Sequence, residues 1–189
     1  KYLDELLFWR ELAFVFCFHE KEHDHWNAIP NWAKKTLKAH EEDQRPVVYS
    51  WETLARAQTN DDFWNAAQLT LLRHGELHNN LRMTWGKAII NWTKNPQDAL
   101  DLFFDLNHRY ALDGRDPASV GGILWCFGQF DRPFKPDRSI LGTVRERSTE
   151  THAGRLSVSD YREQFVPPRI KNRPRIAIIG AGISGLFAA

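Results

Sequence analysis

Three glycines near the end of the sequence have the spacing of a phosphate-binding turn. Gly180, Gly182 and Gly185 form a GxGxxG pattern that follows an apolar run at residues 176–179. In a strand–turn–helix unit, the first glycine permits a tight turn, the second lets the backbone approach a pyrophosphate, and the third lets the helix pack on the strand. The pattern therefore predicts a dinucleotide site, for FAD or NAD(P), at the N-terminus of a helix. The alternative is a buried strand and turn without a ligand.

Three of the eight tryptophans stand in adjacent stretches that are predicted to be helical. Trp85 and Trp92 are seven residues apart, which places them two turns apart on one helix face, and Trp64 lies upstream. Aromatic side chains at helical spacing usually bury area in a core. The spacing alone therefore favours core packing over a functional role.

Polar residues in apolar surroundings are the next candidates for chemistry. Asn107 follows Phe103 and Phe104 on a largely apolar helix face, where a buried amide without partners costs a few kcal/mol. Arg82 and Asp113 have opposite charges and are predicted to form a buried ion pair. Both arrangements also suit a purely structural role.

The beginning of the chain combines a carboxylate with an indole. Glu5 and Trp9 are four residues apart, so they share one face of a helix predicted over residues 2–18. The following segment, HEKEHDH at residues 19–25, contains three histidines among acidic residues but lacks the cysteine spacings of zinc sites. A solvated loop is favoured there over a metal site.

Periodic apolar residues and capping signals predict the helices that must position these side chains. The first helix is predicted to bury a stripe composed of Leu3, Leu6, Leu7, Phe14 and Cys17. Further helices are predicted at residues 27–40, directly after Ser50, over residues 63–93 with Gly75 as a point of interruption, and from Pro96 onward.

The sequence changes character after residue 165. No alternating strand pattern of useful length precedes residue 170, and residues 166–174 hold three prolines and three basic residues, which is typical of a linker. We therefore predict an all-α domain at residues 1–165, a linker at 166–174, and the truncated start of a Rossmann α/β domain, its first strand and turn, at 175–189.

Composition places the chain among folded globular proteins, with 42% hydrophobic and 26% charged residues. Cys17 and Cys126 show no pairing pattern, which favours a reducing, intracellular compartment. The longest apolar run, at residues 176–189, is too short to span a bilayer, so no membrane association is predicted. Residues 132–189 carry 11 basic and 5 acidic side chains, which suggests a patch for an anionic partner or simply a solvated surface.

Four segments resemble one family in the same order along the chain. They are WNAAQ (64–68), LRMTWGKAIINW (81–92), LNHRYALDGRDP (106–117) and GGILWCFG (121–128). Residues 2–165 are similar to the C-terminal FAD-binding domain of class II cyclobutane pyrimidine dimer photolyases. The resemblance implies an all-α domain of the photolyase/cryptochrome type that binds FAD and acts in light-driven repair of damaged DNA containing pyrimidine dimers.

The resemblance also implies roles for individual residues. Trp64, Trp85 and Trp92 match tryptophans that relay electrons to photoexcited FAD. Asn107 matches a residue at flavin N5, and Arg82 and Asp113 match residues beside the isoalloxazine ring. The positions expected to bind the dimer or its DNA are Glu5, Trp9, Met83, Trp125, Arg132 and Arg145.

Some positions depart from the family pattern. GELHN at residues 75–79 replaces the usual GKMHG, residues 118–120 differ from the usual NGY, and Phe134 stands near the usual tryptophan. These positions serve DNA rather than flavin, so a cryptochrome-like photoreceptor without repair activity is an alternative. The last 15 residues resemble the start of FAD-dependent oxidoreductases of the amine oxidase and renalase type. They imply a fused oxidoreductase, in which the helical part could also be a purely structural partner.

Overall fold

The computed structural model of the chain describes residues 2–166. That part of the chain is helical and contains no β-strand. The elements are α1 (Tyr2–Asp4), a π-helical turn (Glu5–Trp9), α2 (Arg10–His19), a 3-10 turn (Trp26–Ala28), α3 (Asn31–Ala39), α4 (Trp51–Ala55), α5 (Asp62–His74), α6 (Asn79–Asn91), α7 (Pro96–Tyr110), α8 (Pro117–Cys126), α9 (Thr149–Ala153) and α10 (Val158–Phe165). The all-α prediction is confirmed for these residues.

Side-chain caps fix where the central helices begin. Asp61 accepts a hydrogen bond from the backbone N–H of Trp64 at 2.8 Å, and Asn95 accepts one from the N–H of Asp98 at the same distance. Ser50 caps α4 in the same way. These bonds satisfy N–H groups that the first turn of a helix leaves without partners, so the predicted starts of α4, α5 and α7 are confirmed.

Gly75 divides the stretch that was predicted at residues 63–93 into two helices. It ends α5 in the left-handed region with φ of +69°, where a residue without a Cβ is favoured. A Cβ on Gly75 would lie 2.6 Å from Leu112. The chain therefore reverses here, and α6 packs against α5.

Helix α6 lies at the centre of the fold and packs against α5, α7 and α8. Its contact with α7 depends on Gly86, because a Cβ at that position would lie 2.0 Å from the ring of Phe103. The residues of α6 that carry candidate chemistry, Arg82, Met83 and Trp85, are therefore held between three other helices.

The prediction of a buried stripe on the first helix is wrong for its first half. Leu3, Leu6 and Leu7 are 62%, 38% and 64% exposed. The helix instead packs against α8 through Ala13, whose Cβ would lie 2.8 Å from a Cβ at Gly121. A close helix contact needs small residues, so the buried face is centred on Ala13 rather than on the large apolar side chains.

Several predictions fall outside the described residues. They concern most of the linker at 166–174, the Rossmann strand, and the dinucleotide site at Gly180, Gly182 and Gly185, all of which stay predictions. Within residues 2–166, no helix has the length and apolar character needed to cross a membrane. The same residues contain no cluster of three or more potential metal ligands, and HEKEHDH runs from the last residue of α2 into a turn.

Candidate functional site

Three indole rings pack in sequence through the centre of the fold, and we call Trp85, Trp64 and Trp92 the tryptophan series. Trp64 stacks on Trp85 with ring centroids 5.8 Å apart and planes 12° apart. Its other side meets Trp92 at 5.6 Å and 70°. Trp64, from α5, thus lies between Trp85 of α6 and Trp92, the residue that caps the C-terminus of α6.

The tryptophan series leads from the core toward the surface. Trp64 and Trp85 are fully buried, whereas Trp92 is 9% exposed and touches Tyr49 edge to face at 5.2 Å. The Trp64 indole N–H donates to the backbone carbonyl of Trp85 at 2.9 Å. The Trp85 indole N–H donates to Gln68 Oε1 at 3.0 Å. Both inner rings are therefore fixed by a hydrogen bond as well as by packing.

A polar cluster composed of Arg82, Asn107, Asp113 and Ser119 lies where α6, α7 and α8 meet. Arg82 Nη1 donates to Asp113 Oδ2 at 2.9 Å and to Ser119 Oγ at 3.1 Å. The predicted ion pair forms, but it is not buried on both sides, because the Asp113 side chain is 53% exposed and that of Arg82 14%. Arg82 is therefore the buried partner, and its charge is held by one carboxylate and one hydroxyl.

The amide of Asn107 satisfies the prediction that it must find partners, but only with its nitrogen. Nδ2 donates to the backbone carbonyl of Gly114 at 3.1 Å and to Ser119 Oγ at 2.9 Å. The carbonyl of Gly114 can only accept, so the amide cannot turn its oxygen to that side without a loss. The orientation of Asn107 is consequently set by its neighbours.

Two buried polar atoms of this cluster are left without a partner. Among the described residues, Arg82 Nε and Asn107 Oδ1 are the buried side-chain nitrogen and oxygen atoms that form no hydrogen bond. Leaving buried polar groups unsatisfied costs on the order of 1–3 kcal/mol each. A donor and an acceptor left free in one cluster define a site for a ligand that offers the complementary pair.

The polar cluster adjoins the tryptophan series through two helices. Arg82 precedes Trp85 by three residues on α6, so the two side chains are neighbours on the helix surface. Asn107 follows Phe103 by four residues on α7, and the Phe103 ring meets that of Trp85 at 5.1 Å. Trp85 is therefore the member of the series next to the polar cluster.

A second aromatic pair joins the start of the chain to α8. The rings of Trp9 and Trp125 lie 4.6 Å apart at 46°. Met83 is close by, since its sulfur contacts Cys126 Sγ at 3.8 Å. Glu5 begins the π-helical turn that ends at Trp9. The structure therefore places Trp9 against Trp125, with Met83 in contact with the neighbouring Cys126.

The segment after α8, residues 131–147, is the basic loop of the molecule. Arg132 and Arg145 both approach the ring of Phe134, with guanidinium carbons 5.6 and 5.5 Å from its centroid. The loop is tied to the helical body by Asp43, whose Oδ2 accepts from the backbone N–H of Ile140 at 2.8 Å. That bond, with further hydrogen bonds from His40 and Ser139, lowers the pKa of Asp43 to about 2.

Sequence reasoning missed one charged residue in the core. Lys87 is 2% exposed and donates from Nζ to the backbone carbonyl of Cys126. Burial lowers the pKa of this ammonium to about 8, because a low-dielectric interior disfavours the charged form. The sequence gave no sign that Lys87, which follows Gly86 in α6, is buried, since lysine in a helix is ordinarily a surface residue.

The helical part of the chain is similar to known proteins. No family model matches the chain. It is 38% identical to the deoxyribodipyrimidine photo-lyase of Methanothermobacter thermautotrophicus over 161 residues, which cover 85% of this chain and 36% of that protein. It is 40% identical over 145 residues to the photo-lyase of Oryza sativa subsp. japonica, covering 76% of this chain and 28% of that one.

The chain is also 35% identical to the deoxyribodipyrimidine photo-lyase of Potorous tridactylus over 166 residues, which cover 88% of this chain and 31% of that protein. The chain thus spans about a third of the length of the curated relatives it matches. These similarities extend over most of the helical part, and they support a photolyase C-terminal domain as the interpretation of this chain.

Proposed function

We propose that the chain is the flavin-binding helical domain of a class II photolyase, which uses light to split cyclobutane pyrimidine dimers in DNA. The observation that carries the proposal is the pair of unpartnered buried atoms, Arg82 Nε and Asn107 Oδ1, directly beside the tryptophan series. Without a ligand, both buried atoms would lack a hydrogen-bond partner, which lowers the stability of the fold. A redox ligand with both a donor and an acceptor removes that cost.

The chemistry of the polar cluster fits FAD. Asn107 Oδ1 is an acceptor, which suits the N5–H of a reduced flavin, and Arg82 Nε is a donor, which suits a ring carbonyl. The Arg82 guanidinium also favours an anionic ligand, while Asp113 and Ser119 hold it in place. When bound, the flavin supplies light-driven one-electron chemistry, and the residues of this chain orient it and tune its electrostatics.

The tryptophan series has the contacts needed to deliver electrons to that ligand. Consecutive rings are 5.8 and 5.6 Å apart between centroids, and Trp85 is the ring beside the polar cluster. Trp92, the least buried of the three at 9% exposure, takes electrons from a reductant in solution. The direction of transfer is therefore from Trp92 through Trp64 to Trp85.

The Trp9–Trp125 pair is suited to bind the lesion. Photolyases extrude the damaged bases from the duplex, a general strategy of enzymes that act on bases, and aromatic planes hold extruded bases by stacking. Met83 lines the same region through its contact with Cys126. Glu5, one turn before Trp9, supplies a carboxyl group for hydrogen bonds to the base edges.

The basic loop supplies contacts to the DNA backbone. Arg132 and Arg145 are exposed and stack against Phe134. The side chain of Arg138, in the same loop, is 57% exposed. Such side chains bind phosphates without reading sequence. Binding of dimer-containing DNA should therefore weaken steeply as salt is raised.

The test uses the full-length protein loaded with FAD, reduced, and mixed with an oligonucleotide that contains one thymine dimer. Recovery of intact thymine under blue light, compared with a dark control, is the expected result. No recovery in light with reduced flavin bound would contradict the repair function. If that flavin still photoreduces, the result would identify a flavin photoreceptor without repair activity.

Two variants separate the parts of the proposal. Trp125→Ala should lose repair and dimer binding while photoreduction of the flavin continues. Trp85→Phe should lose photoreduction, yet it should repair normally once the flavin is reduced chemically. A variant pair with the opposite pattern would contradict the assignment of the two aromatic groups.

A further inference from the structure

Gln68 is the buried hydrogen-bond partner of the ring that starts the tryptophan series. Its side chain is fully buried on α5, and Oε1 accepts from Trp85 Nε1 at 3.0 Å. Its Nε2 donates to the backbone carbonyl of Ala55 at 3.3 Å. Because that carbonyl only accepts, the amide nitrogen must face Ala55 and the amide oxygen must face Trp85.

We propose that Gln68 is a positioning residue that holds the indole N–H of Trp85 on an acceptor too weak to remove its proton while electrons pass along the series. The inference rests on the proposed function, since it concerns the relay assigned there. An indole that has lost an electron is a radical cation and a far stronger acid than a neutral indole. An amide oxygen accepts a hydrogen bond but is too weak a base to take the proton.

The retained proton decides whether the relay continues. Trp85 gives one electron to photoexcited FAD, which is thereby reduced, and Trp85 becomes a radical cation. Trp64 returns one electron to Trp85, and Trp92 then gives one to Trp64. If Trp85 lost its proton first, the neutral radical would be a weaker oxidant, and the electron would not be drawn from Trp64.

The indole N–H of Trp64 also faces a weak base and so keeps its proton, whereas Trp92 is less deeply buried. The Trp64 indole N–H donates to the Trp85 backbone carbonyl, which is no better a base than an amide side chain. Trp92 is the most exposed of the three, at 9%. The oxidising equivalent therefore reaches Trp92, where an external thiol or similar reductant supplies the replacing electron.

The decisive variant is Gln68→Glu, which keeps the shape and introduces a base. With the carboxylate ionised, the proton of oxidised Trp85 transfers to it, and oxidation of Trp92 should fall at least about tenfold. Burial raises the pKa of a carboxyl, so at lower pH the protonated side chain mimics the amide and the relay should return. In the wild type, the yield of oxidised Trp92 should not fall as the pH is raised.

The pH profile needs controls, because other titratable groups lie on the helices around α5. The titratable side chains are those of Lys87 on α6, His152 on α9, Tyr161 on α10 and Glu52 on α4. An ion pair between Arg162 of α10 and Asp62 of α5, with N and O atoms 3.7 Å apart, adds two further charges. Gln58→Glu retains all of them and adds the same charge at an exposed position. It should behave as the wild type does.

Gln68→Met separates proton retention from packing. It removes the hydrogen bond without offering a base, so the relay should continue with Trp85 still protonated, even where thermal stability is lower. Flavin content and thermal unfolding confirm that each variant is folded. Loss of the relay in Gln68→Met equal to that in Gln68→Glu would overturn the inference.

The measurement is transient absorption of the full-length, FAD-loaded protein after a light pulse, in which radical cations and neutral radicals of tryptophan differ in spectrum. The expected result is a neutral radical that stops at Trp85 in Gln68→Glu at high pH. Wild-type oxidation of Trp92 in that variant would overturn the inference. Unchanged photoreduction in Trp85→Phe would instead overturn the relay itself, and this inference with it.

Discussion

Asn107 is oriented by Ser119, because its Nδ2 donates to Ser119 Oγ at 2.9 Å and leaves Oδ1 buried without a partner. The same hydroxyl accepts from Arg82 Nη1 at 3.1 Å. Ser119, one of the positions that the family resemblance assigns to DNA rather than flavin, thus links the two side chains whose unpartnered atoms mark the proposed ligand site.

Removal of that hydroxyl should loosen both side chains. Ser119 is 4% exposed, so Ser119→Ala is expected to lower the free energy of unfolding by about 1–3 kcal/mol and to weaken FAD binding. Urea unfolding and flavin titration of the full-length protein measure the two effects. Ser159→Ala, at an exposed position of α10, is the matched control and should change neither. Unaltered FAD affinity in Ser119→Ala would contradict the role given to the hydroxyl.

The sequence could indicate which residues belong to the site but not how they meet. Asn107 and Arg82 stand out because they interrupt apolar stretches, whereas Ser119 and Gln68 look like ordinary helix residues. Their importance arises from hydrogen bonds over 12 and 17 positions in the chain. Such contacts depend on how α5, α6, α7 and α8 pack, which no local pattern records.

The close contact of α6 with α7 makes Gly86 a sensitive position. Gly86→Ala places a Cβ 2.0 Å from the Phe103 ring, and overpacking of this kind typically costs about 1–3 kcal/mol. Gly122→Ala on α8 is the matched control, since no atom lies within 4 Å of its Cβ, and it should stabilise by up to about 1 kcal/mol through helix propensity. Thermal or urea unfolding compares the two. Equal stabilities would contradict the packing argument.

The sequence predicted where a helix begins when a capping residue or a proline marks the position, but it predicted less well which side chains are buried. Asn95 and Asp61 signal the starts of α7 and α5 through local hydrogen bonds. Leu3 and Leu7 have the spacing of a buried stripe, yet they are more than 60% exposed. Periodicity shows that a face is apolar, but it does not identify the surface that covers it.

Asp43 should hold the basic loop in place through its charge. Asp43→Asn weakens the acceptor of the Ile140 N–H, so amide hydrogen exchange at Ile140 is expected to become several-fold faster. Asp137→Asn, in the same loop and paired with exposed Lys135, is the control and should exchange as the wild type does. Similar rates at Ile140 in all three proteins would show that the loop is held by other contacts.

The lowered pKa of Asp43 also predicts a response to acid. The folded protein keeps the carboxylate ionised to about pH 2, whereas the unfolded chain takes up the proton near 3.8. The contribution of this group to stability is therefore fully present above pH 3.8 and is lost as the pH falls toward 2. Acid unfolding of Asp43→Asn, followed by circular dichroism, should lack this component.

Lys87 should produce the opposite type of pH dependence, at alkaline pH. Burial lowers its pKa from 10.5 to about 8, so below pH 8 the ammonium is present in both the folded and the unfolded chain. Above pH 8 the unfolded chain binds more protons, and the free energy of unfolding rises with pH by at most about 1.4 kcal/mol per unit. The effect of Lys87 can be measured alone only up to about pH 9. Burial raises the pKa of the Cys126 thiol from 9.0 to about 11, so above pH 9 this thiol makes the free energy of unfolding fall with pH.

Lys87→Met tests whether the buried ammonium causes that slope. The variant should be more stable than the wild type at pH 7, since the cost of burying the charge exceeds the single hydrogen bond to Cys126. Between pH 8 and 9 its free energy of unfolding should no longer rise, whereas that of the exposed control Lys94→Met should rise as in the wild type. Urea unfolding at several pH values measures all three proteins. A slope that persists in Lys87→Met would assign the effect to another group, because this substitution removes the only proton that Lys87 can exchange.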